Sequence, residues 1–309
     1  MNKVIVFGSM NMDLTIESDR LPKAGETVDG HDFFTNSGGK GANQAVAAAK
    51  LGAETYMIGL LGKDIFGDEI LGKLEGCGVN CGLVKRSSEQ PTGTAVIVRS
   101  EADNRIILGA GANHQMTTAD VEAALRGIAV PGDIFLTQFE CEYSTTLEAI
   151  CLAKKMGLFT LMNPAPAKKI PDEICSSIDR IVVNQTESEF LTGIYPKTDE
   201  ECARAIEVFR RKGIGSAIIT LGAGGSTTVE NGEIFHVPGC RVPVIDTTAA
   251  GDCYIGALAS AMVHGNSLAE SMIFATQAAA LTITKRGAQQ SIPYKSEVER
   301  YFREEKKHE

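Results

Sequence analysis

Short β-branched, apolar runs recur along the chain with helical stretches between them: VIVF (4–7), TYMI (55–58), IFLT (134–137), LFTLM (158–162), RIVV (180–183) and SAIIT (216–220). Runs of this length suit strands buried on both faces rather than helices. The intervening segments carry helical signals, such as GANQAVAAAKLG closed by Gly52 and SLAESMIFATQAAALTIT opened by the capping box Ser267/Glu270. The same Ser/Thr-x-x-Glu spacing places further helix starts at Thr145/Glu148, Thr186/Glu189, Thr198/Glu201 and Ser296/Glu299. Such alternation predicts an α/β fold, a mostly parallel sheet covered by helices on both faces.

Two regions break the rhythm. Residues 14–35 and 92–108 read as strands and hairpins without helices, the second turning at SEADN. They predict either edge hairpins or a small separate β-sheet, and a sheet flanking the carboxyl edge of the main one would make a lid. No Pro- or Ser-rich linker divides the chain, so residues 1–309 are expected to form one domain with these lid segments.

Composition narrows the function. Thirty Lys and Arg against 39 Asp and Glu, net −9, lack the density of cations that phosphate neutralisation on nucleic acid requires. The absence of Trp and 6% aromatic content argue against a base-stacking surface. The eight cysteines have no metal-ligand spacing and read as reduced core thiols. The chain enters a strand by its third residue, and no apolar run reaches the ~20 residues of a membrane span, so no signal peptide or membrane contact is expected and the setting is cytoplasmic.

Several motifs carry chemistry. SGGKGANQA (37–45) is not a Walker loop, because Gly41 follows Lys40, and FGSMNMD lacks the three glycines of a dinucleotide fingerprint. What remains at Gly38-Gly39 is a tight turn into a helix near Asn43, suited either to helix initiation or to close approach of a small polar ligand. Asn11 and Asp13 alternate with Met12 and would share one face, where a carboxylate and a carboxamide suit neighbouring hydroxyls. Asn184 and Glu187 follow a strand at the sheet's carboxyl edge and serve as a helix cap or as magnesium ligands. TLGAGG (220–225) is a further glycine turn after a strand.

DTTAAGDCYIGALA (246–259) is the sharpest of these. Small residues at Ala249, Ala250 and Gly251 let consecutive N–H groups converge at a helix start, an anion hole. Asp252 beside it is an ordinary first-turn acid or a base that takes a hydroxyl proton while the hole stabilises phosphoryl charge.

These segments together resemble the PfkB-type carbohydrate kinase family, most closely its ribokinase group. Gly38–Asn43 matches the family's Gly-Gly-x-Gly-x-Asn turn, and Asp246–Asp252 its Asp-Thr-x-Ala-Ala-Gly-Asp segment. NMD, QFE (138–140), NPAPA (163–167), NQTE (184–187), TLGAGG and KRGAQQSIP (285–293) follow in the family's order, so the likeness spans the chain. The resemblance implies a ribokinase-like three-layer α/β/α fold with a small β-sheet lid that pairs across a homodimer. It implies ATP-dependent phosphorylation of a small sugar, ribose at its 5-hydroxyl first, with other sugars, 2-deoxyribose or a nucleoside as alternatives. Sugar contacts would come from Asn11, Asp13, Gly39, Lys40, Asn43 and Glu140, with Asp252 as base. Nucleotide contacts would come from Asn184, Thr220, Gly222, Gly225, Gly251 and Gln277. Asn184 and Glu187 would organise Mg2+, and Asp246, Thr248, Thr282, Lys285, Gly287 and Ser291 a monovalent cation, K+, mostly through carbonyls. Gln290 departs from the proline common in this group, which would loosen the cation loop, and Gln277 replaces a usual Asn or His. A non-catalytic sugar sensor would be expected to lose Asp252 or the Ala-Ala-Gly hole, and both are present. No histidine sits in a Gly-x-Ser-x-Gly context, so Ser/His/Asp hydrolysis finds no support.

Overall fold

The computed structural model describes residues 2–100 and 103–305. Its strands are β1 (Val4–Phe7), β2 (Asn11–Glu17), β3 (His31–Gly38), β4 (Thr55–Gly62), β5 (Val79–Ser87), β6 (Gly93–Ser100), β7 (Asp103–Gly109), β8 (Ile134–Thr137), β9 (Phe159–Met162), β10 (Arg180–Asn184), β11 (Ser216–Thr220), β12 (Ser226–Glu230) and β13 (Glu233–Val237). Nine of them form one sheet in the order β13-β12-β11-β10-β9-β8-β1-β4-β5. Only the two pairings at one edge, β11 with β12 and β12 with β13, are antiparallel, so β12 alone runs against the rest.

Alternation along β1 builds the two outer layers. Val4 and Val6 face a core shared with the helices Lys40–Lys50, Ala250–Val263 and Leu268–Thr282. Ile5 and Phe7 face the opposite core, against the helices Thr118–Ile128, Tyr143–Lys155 and Asp199–Arg211. The expected three-layer α/β/α arrangement is therefore present. The two helix-free regions form a second sheet, β3-β2-β6-β7, the first longer than expected at Asn11–Gly38 and the second shifted by one residue to Gly93–Gly109. The turn expected at SEADN includes residues 101 and 102, which lie outside the described residues.

Three helix starts differ from the expected boxes. Glu142 caps the helix Tyr143–Lys155 by accepting from the Ser144 N–H at 2.6 Å, so Thr145 lies inside it. Asn184 and Glu187 form the box of the helix Gln185–Thr192, two residues before Thr186/Glu189. Near the C-terminus the helix begins at Lys295, and Glu297 accepts from the Tyr294 N–H at 2.7 Å. In the first two an earlier acceptor takes the orphan donors first, and in the third Ser296 already lies inside the helix. Thr198 does cap Glu201, although the Glu201 carboxylate turns to the Lys197 N–H, and the Ser267/Glu270 box forms in full.

The small residues of GALASA have a geometric purpose. A Cβ on Gly256 would collide with the Ala47 side chain and come within 2.6 Å of the Gln44 carbonyl oxygen. The helices Lys40–Lys50 and Ala250–Val263 therefore cross at backbone contact. That crossing brings Asp252 against Asn43 and Gln44. No helix among the described residues is long and apolar enough to cross a membrane.

Candidate active site

The loop after β1 and the start of β2 lie against the Gly-Gly turn. Gly39 adopts φ +89°, and a Cβ there would sit 2.8 Å from the Asn11 nitrogen, so both conformation and space call for glycine. Gly41 approaches Ser9 as closely, with 2.5 Å between its Cβ position and the Ser9 nitrogen. The helix that follows has no side-chain cap from Gly39 itself. Glu140 supplies one: its Oε2 accepts from the Lys40 N–H at 3.0 Å and the Ser9 hydroxyl at 2.5 Å.

On β2, Asn11 and Asp13 share a face while Met12 is fully buried on the other. Asp13 lies over Gly38, where a Cβ would collide with its carboxylate. Asn113 holds Asn11: its amide nitrogen donates to Asn11 Oδ1 at 2.7 Å and to the Met10 carbonyl, and its own oxygen accepts from the Met10 N–H. With Oδ1 occupied, Asn11 is left to present its NH2 group as a donor. Gly38→Ala is expected to push Asp13 aside and, with Asp13 receiving the acceptor as the family resemblance implies, to raise the acceptor KM tenfold or more while the KM for nucleotide stays within twofold; steady-state kinetics would show it.

Asp252 is buried at 9% exposure in the first turn of the helix Ala250–Val263. Asn43 Nδ2 donates to its Oδ2 at 2.9 Å, and Gln44 Nε2 to its Oδ1 at 3.0 Å. Asn43 Oδ1 is itself buried without a partner, an acceptor waiting for a hydroxyl. The residue before the helix, Ala249, is held at φ +61°, a left-handed conformation that costs an alanine about 1–2 kcal/mol. The helix start that follows lines a cleft of about 160 Å³, with the Ala250 N–H donating to the Thr247 carbonyl at 3.3 Å. Lys40, Asn184, Glu187 and Thr220 line the same cleft with Ala249, Ala250, Gly251 and Asp252.

The electrostatics are those of crowded acids. Burial, with Glu140 and Asp252 adding to it, pushes the Asp13 carboxyl up to about 7. Burial likewise raises Glu187, beyond what the Asn184 N–H and Lys40 offset. Burial works against the Lys40 ammonium, but the charges of Asp252, Glu140 and Glu187 outweigh it and raise its pKa. A carboxylate whose charge is penalised by burial, with one oxygen taken by the Asn184 N–H and the other available, fits a hard divalent cation.

Other expected residues form neighbouring groups. Asp246 Oδ1 accepts from the Thr248 N–H and hydroxyl, and its Oδ2 from the Gly287 N–H at 3.0 Å, so the two loops meet. Burial opposes the Asp246 charge, but these donors outweigh it and lower its pKa. The Arg99 guanidinium lowers it further, and a monovalent cation, as the family resemblance implies for this loop, would act in the same direction. The side chains of Thr282, Lys285 and Ser291 point elsewhere, to the Ala278 carbonyl, Glu297 and the Ala288 carbonyl, leaving only their backbones for such a role. The Gln290 amide donates to the Arg286 carbonyl at 3.3 Å across Gly287, whose missing side chain leaves the room, a bond that a proline at this position would not make. Gly222, Gly225 and the half-buried Gln277 lie beyond the cleft lining, and a Cβ on Gly225 would collide with the Val237 carbonyl. Ser9, Gln44, Asn113, Gln138 and Asn163 were not singled out by sequence reasoning. Gln138 and Asn163 open the QFE and NPAPA segments, and Gln44 is next to Asn43, but only the helix crossing shows what they touch.

A buried carboxylate held by two amides, in one cleft with the helix start at Ala249–Gly251, suits a phosphotransferase acting on alcohols. The chain belongs to the pfkB family of carbohydrate kinases, whose family model matches residues 1–295. It is 39% identical to a ribokinase of Haemophilus influenzae over 94% of this chain and 95% of that one. It is 34% identical to a deoxyribokinase of Salmonella typhi, again over 94% and 95%. Among solved structures, that of Arabidopsis thaliana ribokinase complexed with ribose and ATP is 35% identical, with a TM-score of 0.88 over 97% of this chain and 98% of that one.

Proposed function

We propose that the protein transfers the γ-phosphoryl group of ATP to the 5-hydroxyl of D-ribose, giving D-ribose 5-phosphate and ADP. The observation that carries this reading is Asp252, a buried carboxylate fixed by two amides at the mouth of the helix start formed by Ala249, Ala250 and Gly251. The relatives named for ribose and ATP support the choice of substrates.

Asn11, Asp13, Gly39, Lys40, Asn43 and Glu140 receive the sugar, the amide of Asn11 donating and the carboxylate of Asp13 accepting. Asp252 takes the proton of the 5-hydroxyl as its oxygen attacks the γ-phosphorus in line. The bond to the bridging oxygen of ADP breaks, and the N–H groups of the 249–251 turn stabilise the charge spread over the transferring oxygens. Asn184, Thr220, Gly222, Gly225, Gly251 and Gln277 hold the nucleotide. Glu187 and Asn184 would hold magnesium and the Asp246 and Gly287 loops potassium, and both ions, when bound, would supply positive charge beside the phosphates. The buried thiols suit a reducing cytoplasm. The lid sheet leaves Phe33, Ile106, Ile107 and Leu108 well exposed, which favours pairing of two lids in a homodimer.

A coupled ATP-consumption assay with ribose, 2-deoxyribose, fructose, adenosine and uridine tests the acceptor. A site built for paired hydroxyls leaves a buried group unpartnered when one is missing, about 1–3 kcal/mol. Ribose should therefore exceed 2-deoxyribose in kcat/KM about tenfold to a hundredfold. The deoxyribokinase relative makes 2-deoxyribose the second reading, and equal or greater efficiency with it would replace ribose while keeping the chemistry.

A further inference from the structure

The two oxygens of Asp252 are held differently. Asn43, which holds Oδ2, has its own oxygen unpartnered, so nothing on its far side fixes which way its amide faces. Gln44, which holds Oδ1, is the middle of a buried chain. Asn163 Nδ2 donates to the Val182 carbonyl at 3.1 Å, Gln44 Nε2 donates to Asn163 Oδ1 at 3.2 Å, and Gln138 Nε2 donates to Gln44 Oε1 at 2.6 Å. A backbone carbonyl only accepts, so Asn163 must turn its NH2 group to Val182 and its oxygen to Gln44. Gln44 must then turn its NH2 group to Asn163 and Asp252, and its oxygen to Gln138. Each orientation is forced by the one before it, and the forcing starts from a strand carbonyl. Gln44, Gln138 and Asn163 are all at least 94% buried, so water does not compete for these bonds.

We infer that Gln44 is a positioning residue for phosphoryl transfer: through the Asn163–Val182 anchor and Gln138 it fixes the Asp252 carboxylate in one rotation before substrate arrives. The inference rests on the reading of Asp252 as the base. Gln44 touches no substrate in this arrangement, because each of its donors and its acceptor is already committed within the protein. Its effect should therefore fall on turnover and not on affinity. The chain also predicts an order: loss of Gln44 removes a bond to the base, whereas loss of Gln138 removes only a bond that steadies Gln44.

The test uses Gln44→Met, which keeps length and approximate volume but cannot donate, and Gln138→Met, each in the full-length protein. Gln44→Met should lower kcat about thirtyfold to a hundredfold with both KM values within threefold, and Gln138→Met about threefold to tenfold. A general packing defect would move KM and kcat together, or would lower the activity of every background equally. The deciding measurement is therefore the double variant with Asp252→Asn: if Gln44 acts through Asp252, adding Gln44→Met to Asp252→Asn costs less than threefold more. A full thirtyfold further loss in that background, or a folded Gln44→Met with kcat within threefold of the parent, overturns the inference. Should Gln44→Met fail to fold, Gln138→Met decides: unchanged kcat, or a KM that rises in parallel, is equally fatal. Near-normal turnover of Asp252→Asn alone would sink the base reading instead, a result distinct from either.

Discussion

Replacing Asp252 by Asn is expected to lower kcat about a thousandfold, within the range general-base catalysis supplies, while ATP affinity changes by less than twofold. The fold should survive the change. The introduced carboxamide would place its oxygen at Gln44, whose orientation is fixed, and its NH2 group at Asn43. Asn43 has a spare buried oxygen and can turn over to accept it. The loss is thus chemical and not structural: an amide cannot take the hydroxyl proton, although the N–H groups at Ala249–Gly251 still bind phosphate charge. Single-turnover kinetics with a thermal melt as control would separate the two. Turnover within tenfold of the parent would remove Asp252 from the role of base.

The second large effect is expected at Asp13, and it has opposite signs for binding and stability. Asp13→Asn should raise the ribose KM about a hundredfold, because the carboxylate proposed to accept from two hydroxyls becomes an amide with a single acceptor atom. The same change should stabilise the empty protein. Burial, Glu140 and Asp252 raise the folded-state pKa of Asp13 from 3.8 to about 7. The native state therefore binds a proton that the unfolded chain has released between those values. The associated stability is fully present below pH 3.8 and is lost as pH rises through about 7. At pH 8 the ionised Asp13 costs the parent about 2–3 kcal/mol, allowing for partial solvent screening. The amide removes that cost, so the variant's melting temperature should exceed the parent's by several degrees at pH 8, and the gap should narrow towards pH 5 and close only below pH 3.8. Ribose affinity of the parent should tighten between pH 6 and 8 as the carboxylate form takes over. A melting difference that does not vary with pH would show that the acid cluster is not what destabilises this position.

The fold was legible where local pattern and tertiary environment agree. VIVF and SAIIT are buried on both sides, so continuous apolar runs marked strands, and the glycine- and hairpin-rich excursions marked the second sheet. Helix starts were less legible, because Glu142 and Asn184 compete with Thr145 and Thr186 for the same orphan N–H groups, and sequence spacing does not say which acceptor wins. In the site, Asn11, Asp13, Asn43 and Asp252 were legible from motifs that place side chains by period or by helix start. Gln44, Gln138, Asn163 and Asn113 were not. Gln44 meets Asp252 across 208 residues of sequence, only because two helices touch where Gly256 lacks a side chain, and no spacing rule encodes such a meeting.

On the proposed reading, recognition and chemistry stand on different sheets. Asn11 and Asp13 belong to the four-stranded sheet, whereas Asp252 and its amide tether belong to the helices and strand ends of the nine-stranded one. The two inherit change separately. Drift in the cleft-facing positions of the small sheet can retune which alcohol is accepted without disturbing the proton-taking apparatus, whose place is set by backbone contact and tolerates little. A library confined to β2, β3 and β6 should accordingly yield altered acceptors at near-parental turnover far more often than one confined to the helices Lys40–Lys50 and Ala250–Val263.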